Sequence, residues 1–464
     1  MKRRKDKSFI FNDTRSVKGT KLKVSPNRRY FVNQYGEPFF YLGDTAWTLF
    51  KGLNHEEVTE YLKNRAAKGF TVIQAYVLRG LEVPNLYGDL TLIDGDPTKP
   101  NEAFFKNIDY IVDRAEELGL FMAMVTTFGE HVRQGIGAST SENFRKNEAI
   151  FDTSNAHIYG KFLGSRYKDK PVIWLFGGDR KPVGDEVIWR AMAEGLIEGH
   201  QGNHLISYHG PGDETTPSSS FWFHNDSWLD FNTIQSGHGW AIKNYEYVTR
   251  DYNLKPIKPT LDMEARYENH PDVKGKTDRR IDAHQVREAA YWAMLAGAAG
   301  HGYGCNDIWQ FFDEGQKPSY DDYSYPTKKL KLTGTTNWHE AMDSAGAYGV
   351  GLMRKLFELL PWFKMVPDQS VIAAGQGEGE DHIQSARAED GSFIIAYSTF
   401  GNPFSIRMDK NSGAKIRAQW YDPRNGTWID IGQYSNTGVL EFNPPSSGDQ
   451  NDWVLVLEDK EKTI

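Results

Sequence analysis

The sequence predicts an α/β protein: a (β/α)8 TIM barrel followed by a C-terminal all-β sandwich domain. Three observations carry this. Short apolar runs alternate with amphipathic stretches through most of the chain, which implies parallel strands joined by helical crossovers. Eight such runs fall within about 320 residues, which suits an eight-unit barrel with enlarged loops. After about residue 355 the period shortens to alternating strands separated by turn residues.

The elements follow in order. Phe39 to Leu42 is the first strand and ends in Gly43-Asp44-Thr45-Ala46-Trp47. His55 to Lys68 is a helix closed by Gly69, a glycine where a left-handed cap is needed. Thr71 to Ala75 is the second strand, ending at Tyr76. The helix Phe104 to Leu118 stops at Gly119 and leads into the strand Leu120 to Val125. His157 to Tyr167 is a helix, and Val172 to Phe176 is a strand ending in Gly177-Gly178-Asp179. Val187 to His200 is a helix, Leu205 to Tyr208 a strand, and Phe231 to Gln235 the sixth strand. The helix Tyr245 to Asn253 precedes the strand Pro259 to Met263, which ends in Glu264. His284 to Ala299 is a helix, and a last strand near Gly302 to Gly304 leads toward Trp309. An open doubly wound sheet would fit the same alternation, but neither GxGxxG nor a Walker A motif is present.

The sandwich strands are Ser370 to Ala374, His382 to Ala386, Phe393 to Thr399, Phe404 to Met408, Ala414 to Trp420, Thr427 to Ile431 and Trp453 to Leu457. Turn signals such as Glu389-Asp390-Gly391 and Asn425-Gly426 separate them. The expected division is an N-terminal extension over 1–25, the barrel over 26–360 and the sandwich over 365–464. The extension contains strand-like runs at Ser8 to Phe11 and Lys21 to Val24, which either pair with the sandwich or cap the barrel bottom.

Composition narrows the function classes. Lys plus Arg number 54 against 62 Asp plus Glu, a net charge of −8. Such an acidic balance argues against nucleic acid as a partner, since phosphate binding needs a basic face. A single cysteine, Cys305, excludes an internal disulfide framework and multi-cysteine metal sites. No run approaches the roughly 20 apolar residues that span a bilayer, so no membrane association is expected. The basic start, Met1 to Lys7, is not followed by an apolar segment of the secretory kind. The default location is therefore cytoplasmic, or secreted or periplasmic if a signal has been removed. The 13 Trp, 23 Tyr and 26 Phe are enough to fill a core and still leave sugar-stacking surfaces.

Barrel chemistry sits at the C-terminal strand ends. Two carboxylates stand there: Asp179 after strand four and Glu264 after strand seven. These strands are roughly opposed around the ring, and in many retaining sugar hydrolases of this fold they carry the acid/base and the nucleophile. Two facing carboxylates are the minimum for glycoside hydrolysis. Strand alternation puts Asp262 and Glu264 on one face, with Asp262 as a buried acceptor behind Glu264. Glu268 is the rival nucleophile, and Arg266 or Arg180 could make Glu264 merely an ion-pair partner. Asp44 and Trp47 form a candidate substrate floor, with a helix cap and a core indole as the plain alternative. Gln74, Tyr76, His209, Gln235, His238 and Trp309 complete the expected substrate-binding set, with Trp222 and His224 weaker candidates. The 13 His include no His-x-His or His-Glu-x-x-His, and Gly202 breaks any helix face joining His200 to His204. No catalytic metal or other cofactor is expected, and no strand-end Lys suggests Schiff-base chemistry.

Four ordered motifs carry a family resemblance. They are Gly43-Asp44-Thr45-Ala46-Trp47, Trp174-Leu175-Phe176-Gly177-Gly178-Asp179-Arg180, Ile234-Gln235-Ser236-Gly237-His238 and Asp262-Met263-Glu264-Ala265-Arg266-Tyr267-Glu268. Together they resemble the apiosidase-like glycoside hydrolases, family 140, over roughly residues 25 to 460. Tyr421-Asp422-Pro423-Arg424-Asn425-Gly426 resembles the signature of that family's C-terminal sandwich, which carries a collagen-binding label. The resemblance implies a (β/α)8 barrel with Asp179 as acid/base and Glu264 as nucleophile. Lys181 departs from the pattern, in which Asn follows the Arg more often, and this bears on a substrate subsite. The expected activity is a retaining, exo-acting hydrolase of polysaccharide side chains, with β-linked apiofuranose the specific sugar. The alternatives are a related glycosidase on another furanoside or pyranoside, or an inactive carbohydrate-binding protein. The expected partner is an oligosaccharide or polysaccharide; oligomeric state is not readable.

Overall fold

The computed structural model describes residue 11 and residues 16–132, 149–275, 277–314 and 334–459. The expected strand at Ser8 to Phe11 lies outside these residues except for Phe11. Eight parallel strands form the barrel: β1 Tyr41–Thr45, β2 Val72–Leu78, β3 Phe121–Thr127, β4 Val172–Gly177, β5 Ile206–His209, β6 Asn232–Ile234, β7 Thr260–Asp262 and β8 Gly300–Tyr303. Their order is β5-β4-β3-β2-β1-β8-β7-β6. Single bonds close the ring between β5 and β6: the Asp230 amide donates to Ile206 O at 2.9 Å and Ser207 Oγ to Phe231 O at 2.6 Å.

Alternation along each strand separates two apolar layers. Tyr41, Val72, Tyr76, Phe121, Ala123, Val125, Ile173, Leu175, Leu261 and Met263 fill the barrel interior. Leu42, Ile73, Ala75, Val77, Met122, Met124 and Phe176 face the helices. The helices begin where caps satisfy their first amides. Asn54 and Glu57 form a capping box on the helix His55–Ala67, as do Asp152 with Asn155 and Asp282 with Gln285 on Thr153–Tyr167 and Ala283–Leu295.

Ahead of the barrel, the strands Leu22–Val24, Phe31–Asn33 and Pro38–Phe39 form a small antiparallel sheet. Phe31 inserts into the interior layer, edge-on to Phe231 at 5.2 Å. The extension thus caps the barrel bottom. The longest element absent from the sequence reading is the helix Ala345–Leu359, which packs on Ala283–Leu295 and completes the outer layer. Gly346, Gly349 and Gly351 dilute its apolar period.

The sandwich pairs a six-stranded sheet with a three-stranded one. Two of its strands, Met365–Pro367 and Val439–Phe442, add to the seven runs read from sequence. Within Phe393–Ser398, Ile394 and Ala396 point into the sandwich while Ile395 and Tyr397 join the core shared with the barrel helices. The centre of the large sheet is therefore buried on both faces, which fixes the sandwich against the barrel. Tyr291 stacks on Tyr397 at 4.7 Å, and Arg287 makes a bidentate bond with Asp452 at 2.8 and 2.7 Å. Among the described residues no helix is long and apolar enough to cross a membrane.

Candidate active site

The site is built at the C-terminal ends of β4, β5, β6 and β7. After β4 the chain turns through three successive left-handed residues: Gly177 at φ +89°, Gly178 at +84° and Asp179 at +55°. Only glycine adopts the first two without penalty, and a Cβ on Gly177 would lie 2.2 Å from His209 O. Asp tolerates the third position better than most residues. The turn brings Asp179 toward the barrel mouth, with Oδ1 buried and without a hydrogen-bond partner.

After β7 a second irregularity positions Glu264. The amides of Met263 and Glu264 both point at Ile234 O, at 2.9 and 3.3 Å. Two residues thus oppose one, as in a β-bulge, and the alternation slips. Asp262, between the inward-facing Leu261 and Met263, faces the helical layer by regular alternation, accepting from Ser236 Oγ at 2.9 Å and Asn244 Nδ2 at 2.8 Å, and the slip moves Glu264 off that face. This corrects the expectation that Asp262 and Glu264 share a face. Met263 points inward and Glu264 turns into the mouth.

There Glu264 is held by two imidazoles. His209 Nε2, at the end of β5, donates to Oε2 at 2.7 Å, and His238 Nε2 lies 3.2 Å from Oε1. His238 Nδ1 faces Ala265 O at 3.0 Å. Trp47 donates its indole N–H to the Tyr267 hydroxyl at 3.0 Å, which itself reaches Thr45 and Glu264. The Trp47 ring meets His209 edge-on at 5.2 Å. One donor atom from each of Asp179, His209 and Glu264 falls within a 4.8 Å cluster. The trio is within reach of one ion, but both Glu264 oxygens already face imidazole nitrogens.

The two carboxyls are pushed apart electrostatically. Burial raises Asp179, and the nearby Glu264 charge raises it further, against smaller opposing effects of His209, Arg79 and Arg180. Burial would raise Glu264 as well, but the hydrogen bonds and charges of His209 and His238 outweigh it and hold the carboxyl well below its usual range. Burial pulls His209 down, yet Glu264 and Asp179 leave it above its ordinary value. Asp179 is thus biased toward its protonated form and Glu264 toward its ionised form, the division that acid/base and nucleophile roles require.

Residues 25–364 match the family described as "Apiosidase-like, catalytic domain". The chain belongs to the apiosidase-like family. It is a glycoside hydrolase with a barrel of the family 5 type. Residues 366–458 match the "Putative collagen-binding domain of a collagenase". A solved glycoside hydrolase is 31% identical with a TM-score of 0.85, covering 97% of this chain and 99% of the other. A family 5 glycoside hydrolase from Bacteroides vulgatus ATCC 8482 is 32% identical, also with a TM-score of 0.85, covering 97% and 95%. An exo-β-1,4-mannosidase from Opitutaceae bacterium strain TAV5, 14% identical with a TM-score of 0.50 over 72% and 62%, shares the fold alone. No curated protein matches.

The remaining expected site residues of this apiosidase-like hydrolase divide into three groups. Trp47, His209 and His238 converge on Glu264 or its Tyr267 neighbour, as described. Tyr76, Gln235 and Trp309 line the surrounding barrel end. Tyr76 packs edge-on to Phe128 at 5.4 Å, Gln235 keeps a buried Oε1 without a bonding partner, and Trp309 donates to Asn306 Oδ1 at 3.2 Å. Gln74 lies deeper, donating to Thr45 Oγ1 at 2.8 Å and Met263 O at 3.2 Å inside the barrel. It ties β2 to β1 and to the Glu264 bulge, so its position is beneath the mouth.

Asp44 points the other way. It is fully buried in the helical layer, 3.2 Å from Arg65 Nε and accepting from Tyr61 at 2.5 Å. The substrate-floor expectation is corrected: Asp44 follows Leu42 on the outward face of β1, and its partners belong to the helix His55–Ala67. Asp44→Asn leaves the Arg65 charge buried without a counter-ion, so a cost of about 3–5 kcal/mol is expected. Urea unfolding measures it; a stable variant with a raised KM would instead return Asp44 to the substrate.

The other weak candidates are also structural. Glu268, the rival nucleophile, accepts from Tyr303 at 2.7 Å and from the Gly346 amide at 2.9 and 3.0 Å. Arg266 pairs with Glu288, not with Glu264. Trp222 packs on Tyr208 and His224 faces Asn232. Lys181, the departure from the family pattern, is paired with Asp213 of the loop after β5. Sequence reasoning did not select Tyr267, although it stands three residues past Glu264 in a quoted motif. It also passed over Arg79, whose guanidinium lies 4.0 Å above the Phe128 ring and 3.6 Å from Glu130.

Proposed function

We propose that this protein is a retaining, exo-acting glycosidase in which Asp179 is the acid/base and Glu264 the nucleophile, with β-linked apiofuranose on a polysaccharide side chain as its sugar. The observation that carries this reading is that one oxygen of Asp179 and one of Glu264 lie within 4.8 Å of each other, which supports a close pair of carboxyls. Carboxyls about 5–5.5 Å apart suit a covalent route, and a water-mediated inverting route needs roughly 6.5–9.5 Å. Asp179 protonates the glycosidic oxygen while Glu264 attacks the anomeric carbon. The bond to the leaving group breaks, the bond to Glu264 forms, and the charge on Glu264 is consumed. Asp179, now ionised, loses that repulsion and takes a proton from water, which releases the sugar with its original configuration.

The apiose assignment rests on the family match, and a family 5 relative at 32% identity supports another glycoside as the second reading. An activated 2-deoxy-2-fluoro glycoside of the correct sugar is expected to add one glycosyl mass to the peptide containing Glu264. Turnover of apiose-containing oligosaccharides with no trapped adduct, and with inverted product by NMR, would refute the covalent route. No release from apiosides alongside release from other aryl glycosides would move the reading to the second sugar class.

A further inference from the structure

Glu130 is a buried carboxylate at the barrel mouth with no part in the reaction as described so far. It lies three residues beyond β3, is 5% exposed, and neither of its oxygens makes a hydrogen bond. Its ion-pair partner, at 3.6 Å, is Arg79, the residue after β2. Arg79 is fixed at both ends. Its guanidinium lies 4.0 Å above the Phe128 ring. Its backbone carbonyl, with those of Gly80 and Val83, accepts from the buried Lys51 Nζ at 2.8, 3.3 and 2.8 Å. This corner packs directly on the turn that carries Asp179. The Gly129 amide donates to Gly178 O at 3.2 Å. A Cβ on Gly129 would lie 2.3 Å from Arg180 Cβ, and one on Gly178 would lie 2.7 Å from the Phe128 ring.

We propose that Glu130 is a positioning residue for the acid: its pairing with Arg79 keeps that guanidinium from becoming the counter-ion of Asp179, so that Asp179 still carries its proton when substrate arrives. This role rests on the reading of Asp179 as acid/base, but not on the identity of the sugar. The same two arginines act on both carboxyls. Burial alone would raise Glu130, but the charges of Arg79, His131 and Arg180 outweigh it and hold the carboxyl below its usual range. At Asp179, burial and the Glu264 charge favour the proton, while His209, Arg79 and Arg180 oppose it. Tyr267 also senses the Asp179 charge, and His238 faces Glu264 from the loop after β6. Arg180 is tied to the turn itself, donating to Asp179 O at 2.9 Å. Arg79 is therefore the guanidinium whose pull on Asp179 a neighbouring anion can limit, and Glu130 is that anion. Both Glu130 oxygens are covered, which favours this role over a direct bond to a sugar hydroxyl.

The test is the pH profile of kcat/KM for full-length wild type, Asp179→Asn, Glu130→Gln and the double variant Glu130→Gln/Arg79→Gln. The substrate is an apiose-containing oligosaccharide, or a methyl glycoside of whichever sugar is released if apiosides are not. Glu130→Gln keeps the shape but removes the charge that opposes Arg79. Its alkaline limb is expected to move down by about one pH unit, a loss of about tenfold at pH values above the limb. Removing the Arg79 charge as well is expected to bring the limb back toward its wild-type position, a rescue that a merely structural role would not give. If Glu130→Gln does not fold, Glu130→Asp draws the charge back from Arg79 and is expected to move the limb the same way by less. A limb that Asp179→Asn erases but the Glu130 variant leaves in place would overturn the role, and so would a limb that does not return in the double variant. An unmoved limb with a raised KM would make Glu130 a substrate contact instead. A limb that survives in Asp179→Asn would be a different failure, since it overturns the acid assignment itself and this role with it.

Discussion

Glu264→Gln is expected to lower kcat by at least ~10³-fold, a barrier increase of about 4 kcal/mol, with little change in Tm. The amide occupies the same volume and its oxygen can still accept from His209, so positioning survives while nucleophilicity does not. Stability is protected by the same histidine. His209 is buried and is held above its ordinary value chiefly by Glu264, with smaller help from Asp179 and the Gly210 backbone. Without the Glu264 charge it releases its proton rather than remain a buried cation. Steady-state kinetics and a thermal melt measure both effects. Glu264→Ala adds a stereochemical readout, because azide can enter the space left by the carboxylate. The glycosyl azide formed is expected to have the configuration opposite to the substrate. Activity within tenfold of wild type in Glu264→Gln would refute the nucleophile assignment.

The parts of this molecule that were legible in the sequence share a physical cause. Strand ends are marked by an abrupt change from apolar to polar residues, and barrel topology gathers those ends on one face. Asp179, Glu264, His209 and His238 were found that way, although they are far apart in the chain. The errors came from direction, which side-chain type does not report. Asp44 and Trp47 looked like neighbours on a pocket floor, yet they face opposite layers because Asp44 is on the outward side of β1. Asp262 and Glu264 were assigned to one face, but the strand does not run regularly through Glu264. Two amides converge on Ile234 O, and one slipped residue reverses the pattern. Gln74 is polar at a strand end, but its amide is spent within the barrel. The helix Ala345–Leu359 was hidden by its glycines, and the sandwich's double-sided burial could not be inferred until its partner surface was known.

The site's electrostatics give the Asp179 prediction a sharper form than loss of activity. General acid assistance contributes roughly 10²–10⁴-fold, and the need for it depends on the leaving group. Asp179→Asn is therefore expected to lose about that factor on natural glycosides and far less on dinitrophenyl glycosides, whose leaving group needs no proton. Azide should restore turnover and give a product with the substrate's configuration, opposite to that from Glu264→Ala. The pH profile carries the sign. Asp179 must hold its proton, so wild-type kcat/KM falls as pH rises through its raised value; Glu264 must be ionised, so activity falls at low pH as it is protonated. Asp179→Asn should erase the alkaline limb and keep the acidic one. Glu264→Gln removes the repulsion that adds to burial in raising Asp179, and so imitates the charge state of the glycosyl-enzyme. Carboxyl titration by infrared difference spectroscopy should then find Asp179 lower than in wild type, though burial, the larger cause, remains. An unchanged Asp179 titration would mean that the two carboxyls do not sense each other, and the switch from acid to base would lose its physical basis.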